Sequence, residues 1–64
     1  MDYDFAVMVS DMIGIKVLTL DLGVKPNGKP VYRVALFSDG EWTEALYGSL
    51  AAALTTYKFL RRVL

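Results

Sequence analysis

Three carboxylates, Asp39, Glu41 and Glu44, fall close together, and two lysines, Lys25 and Lys29, flank the asparagine and glycine of KPNGKP. The carboxylates have the donor chemistry for a divalent cation or an acid/base pair, and the lysine-glycine stretch has the character of a phosphate-gripping loop. Most other chemistry lacks its parts. With Cys 0 and His 0 there is no Ser-His-Asp triad, no thiolate nucleophile and no zinc site of nitrogen and sulfur ligands. A chain of 64 residues has little room for a cleft that drives two carboxyl pKa values apart. Asp39 is therefore expected at a turn and Glu41 and Glu44 on a strand surface, in a protein that is not an enzyme and needs no metal or cofactor. Neither GxxxxGK[ST] nor GxGxxG occurs, and Gly28-Lys29 lies between two apolar runs with no helix N-terminus to receive an anion.

Those two runs, IKVLTLDLGV and VYRVALF, read as strands joined by a hairpin at Asn27-Gly28. A two-residue type I′ loop sets Val24 opposite Val31, Leu22 opposite Arg33, Leu20 opposite Ala35 and Leu18 opposite Phe37; a slip of one residue exchanges these partners. Either register leaves both faces largely apolar. SDGEW supplies a second turn at Asp39-Gly40, which brings Phe37 opposite Trp42 and makes Glu41–Tyr47 a further strand. Ser49 is a good N-cap for a helix over about 50–63, in which Leu50, Ala53, Leu54, Tyr57, Leu60 and Leu64 share one stripe. Phe59 and Val63 fall outside both that stripe and the wet strip of Ala51, Thr55, Lys58 and Arg62.

The N-terminal segment fits two patterns. Tyr3, Phe5, Val7 and Val9 alternate as in a strand ending at a Ser10-Asp11 turn, while Asp2 or Asp4 as N-cap and Gly14 at the far end would suit a helix. The strand is preferred for its β-branched content. The expected fold is one α+β domain spanning residues 1–64, an antiparallel meander of three to four strands followed by a C-terminal helix. The alternative is helix, three strands, helix.

Lys+Arg 7 balance Asp+Glu 7, so no net field draws the chain to nucleic acid or membrane. The order helix, three strands, helix resembles the double-stranded-RNA-binding domain, but the lysines that grip phosphate at the start of that domain's last helix are replaced by Ser49-Leu50-Ala51-Ala52-Ala53. The meander-plus-helix order is similar in outline to dimeric single-strand-binding transcriptional coactivators, which implies base stacking by Trp42, Tyr3, Tyr32 or Tyr47. A nucleic-acid function would use Lys25, Lys29, Arg33, Lys58, Arg61 and Arg62 for phosphates, with Trp42 or Tyr32 stacking.

The stronger signal is surplus apolar surface. Hydrophobic residues make up 55% of a chain too short to bury them all. The expectation is a non-catalytic binding protein, a homodimer or higher oligomer of the accessory or inhibitor type common in phage and mobile elements. Leu20, Leu36, Phe59 and Val63 are expected at its intersubunit or intermolecular contacts. The acidic start lacks the positive region of a signal peptide, and the absence of cysteine is compatible with a cytoplasmic protein.

Overall fold

The computed structural model describes residues 4–64. The roles considered for Asp2 and Tyr3 lie outside the described residues. Four strands, β1 (Ala6–Ile13), β2 (Lys16–Val24), β3 (Pro30–Ser38) and β4 (Glu41–Tyr47), form one antiparallel sheet in sequence order. One helix, α1 (Leu50–Val63), follows and packs on a single face. The meander with a C-terminal helix is thus the fold, and the alternative with an N-terminal helix is overturned by β1.

Ser10 and Asp11, expected to turn, are ladder residues opposite Thr19 and Leu18. The chain turns instead at Gly14-Ile15, where Gly14 has φ 64 and occupies the first of two loop positions, as a type II′ turn requires. Turn-prone side chains such as serine and aspartate yield to a strand when a partner ladder satisfies their backbone. An irregularity between Val7 and Val9 sets Met8 as an extra residue against β2.

The β2–β3 hairpin turns at Asn27-Gly28, but its register differs by one residue from the I′ expectation. Val24 pairs with Pro30, Leu22 with Tyr32, Leu20 with Val34 and Leu18 with Leu36. The reason is Pro26. In a two-residue loop its nitrogen would have to donate to the Lys29 carbonyl, and proline has no N–H. Lys25 takes over, donating to the Lys29 carbonyl at 2.8 Å, while Gly28 N–H returns to the Lys25 carbonyl at 2.8 Å. Pro26 then sits inside a three-residue loop, where its fixed φ suits the first turn position, and Gly28 at φ 84 supplies the left-handed residue that closes it. The Asn27 side chain accepts from Lys29 N–H at 3.0 Å.

The second hairpin agrees with expectation. Asp39 and Gly40 both have positive φ, and Phe37 pairs with Trp42, their rings tilted by 52° at 5.3 Å. Ser49 caps α1, its hydroxyl accepting from Ala52 N–H at 3.2 Å.

The core lies between α1 and the face of the sheet that carries Leu18, Leu20, Val34 and, half-buried, Tyr32 and Leu36. Ala53 and Tyr57 are the buried helix residues, and Leu54 and Leu60 flank them, whereas Leu50 and Leu64 at the two ends of the expected stripe stay exposed. The small side chain of Ala53 lets the helix backbone approach the strands, and each fully buried leucine is worth roughly 1.5–3 kcal/mol. Tyr57 also ties the last element to the first, its hydroxyl donating to Asp11 Oδ2 on β1 while Arg61 Nε stands 3.8 Å from the same oxygen. Tyr47 and Thr56 share a hydroxyl hydrogen bond of 2.8 Å between β4 and α1.

Burial, and secondly the hydrogen bond to Asp11, pushes the Tyr57 phenol well above its ordinary value of 10.0. The folded chain keeps this proton where the unfolded chain releases it. The contribution to stability is therefore intact below pH about 10 and is lost as pH rises beyond that value. Tyr57→Phe is expected to lower stability by roughly 1–2 kcal/mol at neutral pH, and to flatten the alkaline loss that the wild type shows, both measured by urea denaturation as a function of pH.

Candidate functional site

The helix covers one face of the sheet, and among the described residues the other face is finished by side chains alone. Alternation along the strands puts Val17, Thr19, Asp21 and Gly23 of β2 on this uncovered side. They lie beside Val31, Arg33, Ala35 and Phe37 of β3, with Trp42, Glu44 and Leu46 of β4 and Val7, Ser10 and Met12 of β1 at the flanks. The one-residue difference in register sets Asp21 directly across from Arg33.

Asp21 is the chemical centre of the face. Its side chain is 1% exposed, and its Oδ2 receives Arg33 Nε at 2.7 Å and the Thr19 hydroxyl at 3.3 Å. Arg33 extends further, its Nη1 standing 3.8 Å from Glu44 Oε1 on β4. The Phe5 ring lies flat over the guanidinium, 4.1 Å from its carbon to the ring centroid, a cation–π contact that also shields the ion pair. Gly23 makes room for it: a Cβ there would meet the Phe5 ring at 3.0 Å and Val31 at 3.3 Å. The remaining oxygen, Asp21 Oδ1, is buried and has no hydrogen-bond partner among the described residues.

Next to this pair is an open groove of about 420 Å³ lined by Val7, Thr19, Asp21, Arg33, Ala35, Trp42, Thr43 and Glu44. Its walls are apolar on the Val7, Ala35 and Trp42 sides and acidic at Asp21 and Glu44. Counted as formal charges, two carboxylates face one guanidinium. The arrangement offers a hydrogen-bond acceptor, a negative charge and an indole.

The residues singled out from sequence do not form one site. Leu20, expected at an interface, is 1% exposed and belongs to the monomer's own core; the helix covers it because it shares a face with Leu18 and Val34. Leu36 is half-buried against the same core. Phe59 and Val63 are exposed on α1, at 56% and 57%. Of the basic and stacking candidates, Lys25 and Lys29 sit at the β2–β3 turn, and Arg33 and Trp42 lie on the uncovered face. Tyr32 is half-buried against the core, and Lys58, Arg61 and Arg62 line a shallow depression of about 340 Å³ on the helix. Lys25 and Lys29 meet at the turn and the trio on the helix layer, both apart from Arg33 and Trp42. Arg33 spends its charge on Asp21. Among the described residues no group of three metal-ligating side chains gathers, so Asp39, Glu41 and Glu44 do not converge.

Reading the sequence for sites missed Asp21, Phe5 and Gly23. The signal was an aspartate inside the apolar run IKVLTLDLGV, which needs a buried counterion, but naming Arg33 as that partner required the hairpin register. No protein-family model, no curated protein and no solved structure matches the chain.

Removing Arg33 leaves a buried carboxylate uncompensated, whereas replacing both partners with apolar groups removes the desolvation cost as well. Arg33→Met is expected to cost about 3 kcal/mol, and the double variant Asp21→Leu with Arg33→Met to recover most of that loss, measured as a double-mutant cycle by chemical denaturation.

Proposed function

We propose that the protein is a non-catalytic binding module of the accessory or inhibitor type, whose working surface is the uncovered face of the sheet and whose occupant is another protein. The observation that carries this reading is that Val7 and Met12 on β1 and Trp42 and Leu46 on β4, all on the uncovered face, are exposed on either side of a buried ion pair. Trp42 is 58% exposed even though it packs on Phe37. Aromatic and methionine side chains on a firm backbone are the usual anchors of protein interfaces. The molecule is a slab of 37 × 23 × 15 Å, and its broad face matches in scale the ~800 Å² that each partner gives to an interface of standard size.

Nucleic acid fits this face less well. Its central arginine is neutralised by Asp21 and Glu44, and the three clustered cations of α1 are on the helix layer. Among the described residues no helix is long and apolar enough to cross a membrane. A cytoplasmic setting for the partner fits a chain without cysteine.

The test is the double variant Trp42→Ser with Leu46→Ser, whose side chains lie outside the core. It should fold like the wild type by circular dichroism, bind an apolar dye several-fold more weakly and fail to retain host proteins that the wild type retains. Light scattering at micromolar concentration identifies the occupant: a dimer that the variant dissociates means a second copy, and a monomer throughout means a different protein. Equal dye binding and equal retention by both forms overturn the proposal.

A further inference from the structure

The groove beside Asp21 has features that an apolar docking surface does not need. A carboxylate 1% exposed keeps one oxygen, Oδ1, without a hydrogen-bond partner among the described residues, although an unpaired buried carboxylate oxygen is costly. Its other oxygen is fully engaged by Arg33 and Thr19. A second carboxylate, Glu44, lines the same groove; its one ion-pair distance, to Arg33, is the long one at 3.8 Å. The third wall is the exposed indole of Trp42, and Val7 provides an apolar entry above the buried Ala35.

We infer that this groove binds an organic cation carried on an aliphatic stem, namely an arginine or lysine side chain of the partner protein. Each part has a matching role. Oδ1 is covered in the structure, and the guanidinium or ammonium reaches it as the side chains over it move aside, completing that carboxylate's hydrogen bonds. The surplus carboxylate charge, two against the one of Arg33, compensates the incoming cation. Trp42 offers its face to the cation or its stem, and Val7 and Ala35 take up methylene groups. An anion would meet a net negative groove, and a neutral hydroxyl would leave the extra charge unused. The same charge disfavours a second copy as occupant, because a two-fold dimer through this face sets one acidic groove against another.

The inference deepens the docking proposal above by naming the partner's anchoring group, and it can be tested without that partner. The probes are n-butylguanidinium and n-butylammonium chloride, with n-butanol and sodium chloride as controls, titrated into the full chain. Binding is followed by amide chemical shifts and Trp42 fluorescence. Saturable shifts confined to Thr19, Asp21, Trp42, Glu44 and their neighbours are expected from the cations and not from the controls. Glu44→Gln, on an exposed position, should keep the fold and weaken both cations by about threefold. Trp42→Leu should do the same, and Asp21→Asn should abolish the response. Should Asp21→Asn fail to fold, the two exposed variants decide. Absence of saturable shifts, equal shifts from n-butanol, or cation binding unchanged by Glu44→Gln and Trp42→Leu each overturn the inference. In that case retention of host proteins by the wild type but not by the Trp42→Ser, Leu46→Ser double variant would leave the docking face standing, and the opposite pattern would leave only the cation site.

Discussion

Proline has no N–H, and at position 26 that absence sets the whole sheet. A two-residue Asn-Gly loop would need Pro26 to donate to Lys29, so the closing hydrogen bond moves out to Lys25 and the strands pair one residue away from that arrangement. The change is larger than one step suggests. In the other register Asp21 would stand across from Val34, with Arg33 carried to the opposite side of the sheet. In the actual one, Leu18, Leu20 and Leu22 meet Leu36, Val34 and Tyr32 under the helix, and Asp21 meets Arg33 on the other side. One missing hydrogen thus separates the apolar residues from the charged pair.

This division explains how so short a chain manages two apolar sheet faces with one helix. The face under α1 is a conventional core, closed by Ala53 and Tyr57. Among the described residues the other face has no second layer. It is dried by Phe5, which lies over Gly23 and the Arg33 guanidinium, and by Arg33 itself, whose stem and charge span from β2 toward β4. Thr19, Asp21, Val31 and Ala35 are buried there without a described helix or strand above them. That puts the charged pair at the centre of the face and the exposed side chains of Val7, Met12, Trp42 and Leu46 at its margin, unlike an ordinary protein interface with its apolar centre and polar rim.

Much of the fold was legible because its signals are local. The Asp39-Gly40 turn, the Phe37–Trp42 pair, the bounds of β4 and the Ser49 cap each depend on a few adjacent residues with a definite backbone requirement. What the sequence concealed depends on contacts between distant residues. Ser10 and Asp11 look like a turn until β2 is placed beside them. Leu20 looks available for a partner until the register puts it under the helix. Asp21 is conspicuous in an apolar strand, but its meaning rests on Arg33, Phe5 and Glu44, which three other segments deliver. Phe59 and Val63 were legible as an exposed pair on α1, since helical periodicity alone places them away from the buried stripe.

A sheet built only from sequence neighbours has two bare rims, β1 and β4, each with a row of backbone groups open to strand addition. The extra residue at Met8 interrupts the first of these. An incoming strand can follow the β1 ladder from Ile13 only as far as Val9 before the spacing of donors and acceptors breaks. On the opposite rim, Glu41 and Glu44 place carboxylates along β4, so a copy laid antiparallel against it brings like charges together. Both features work against growth of the sheet by strand addition at its rims.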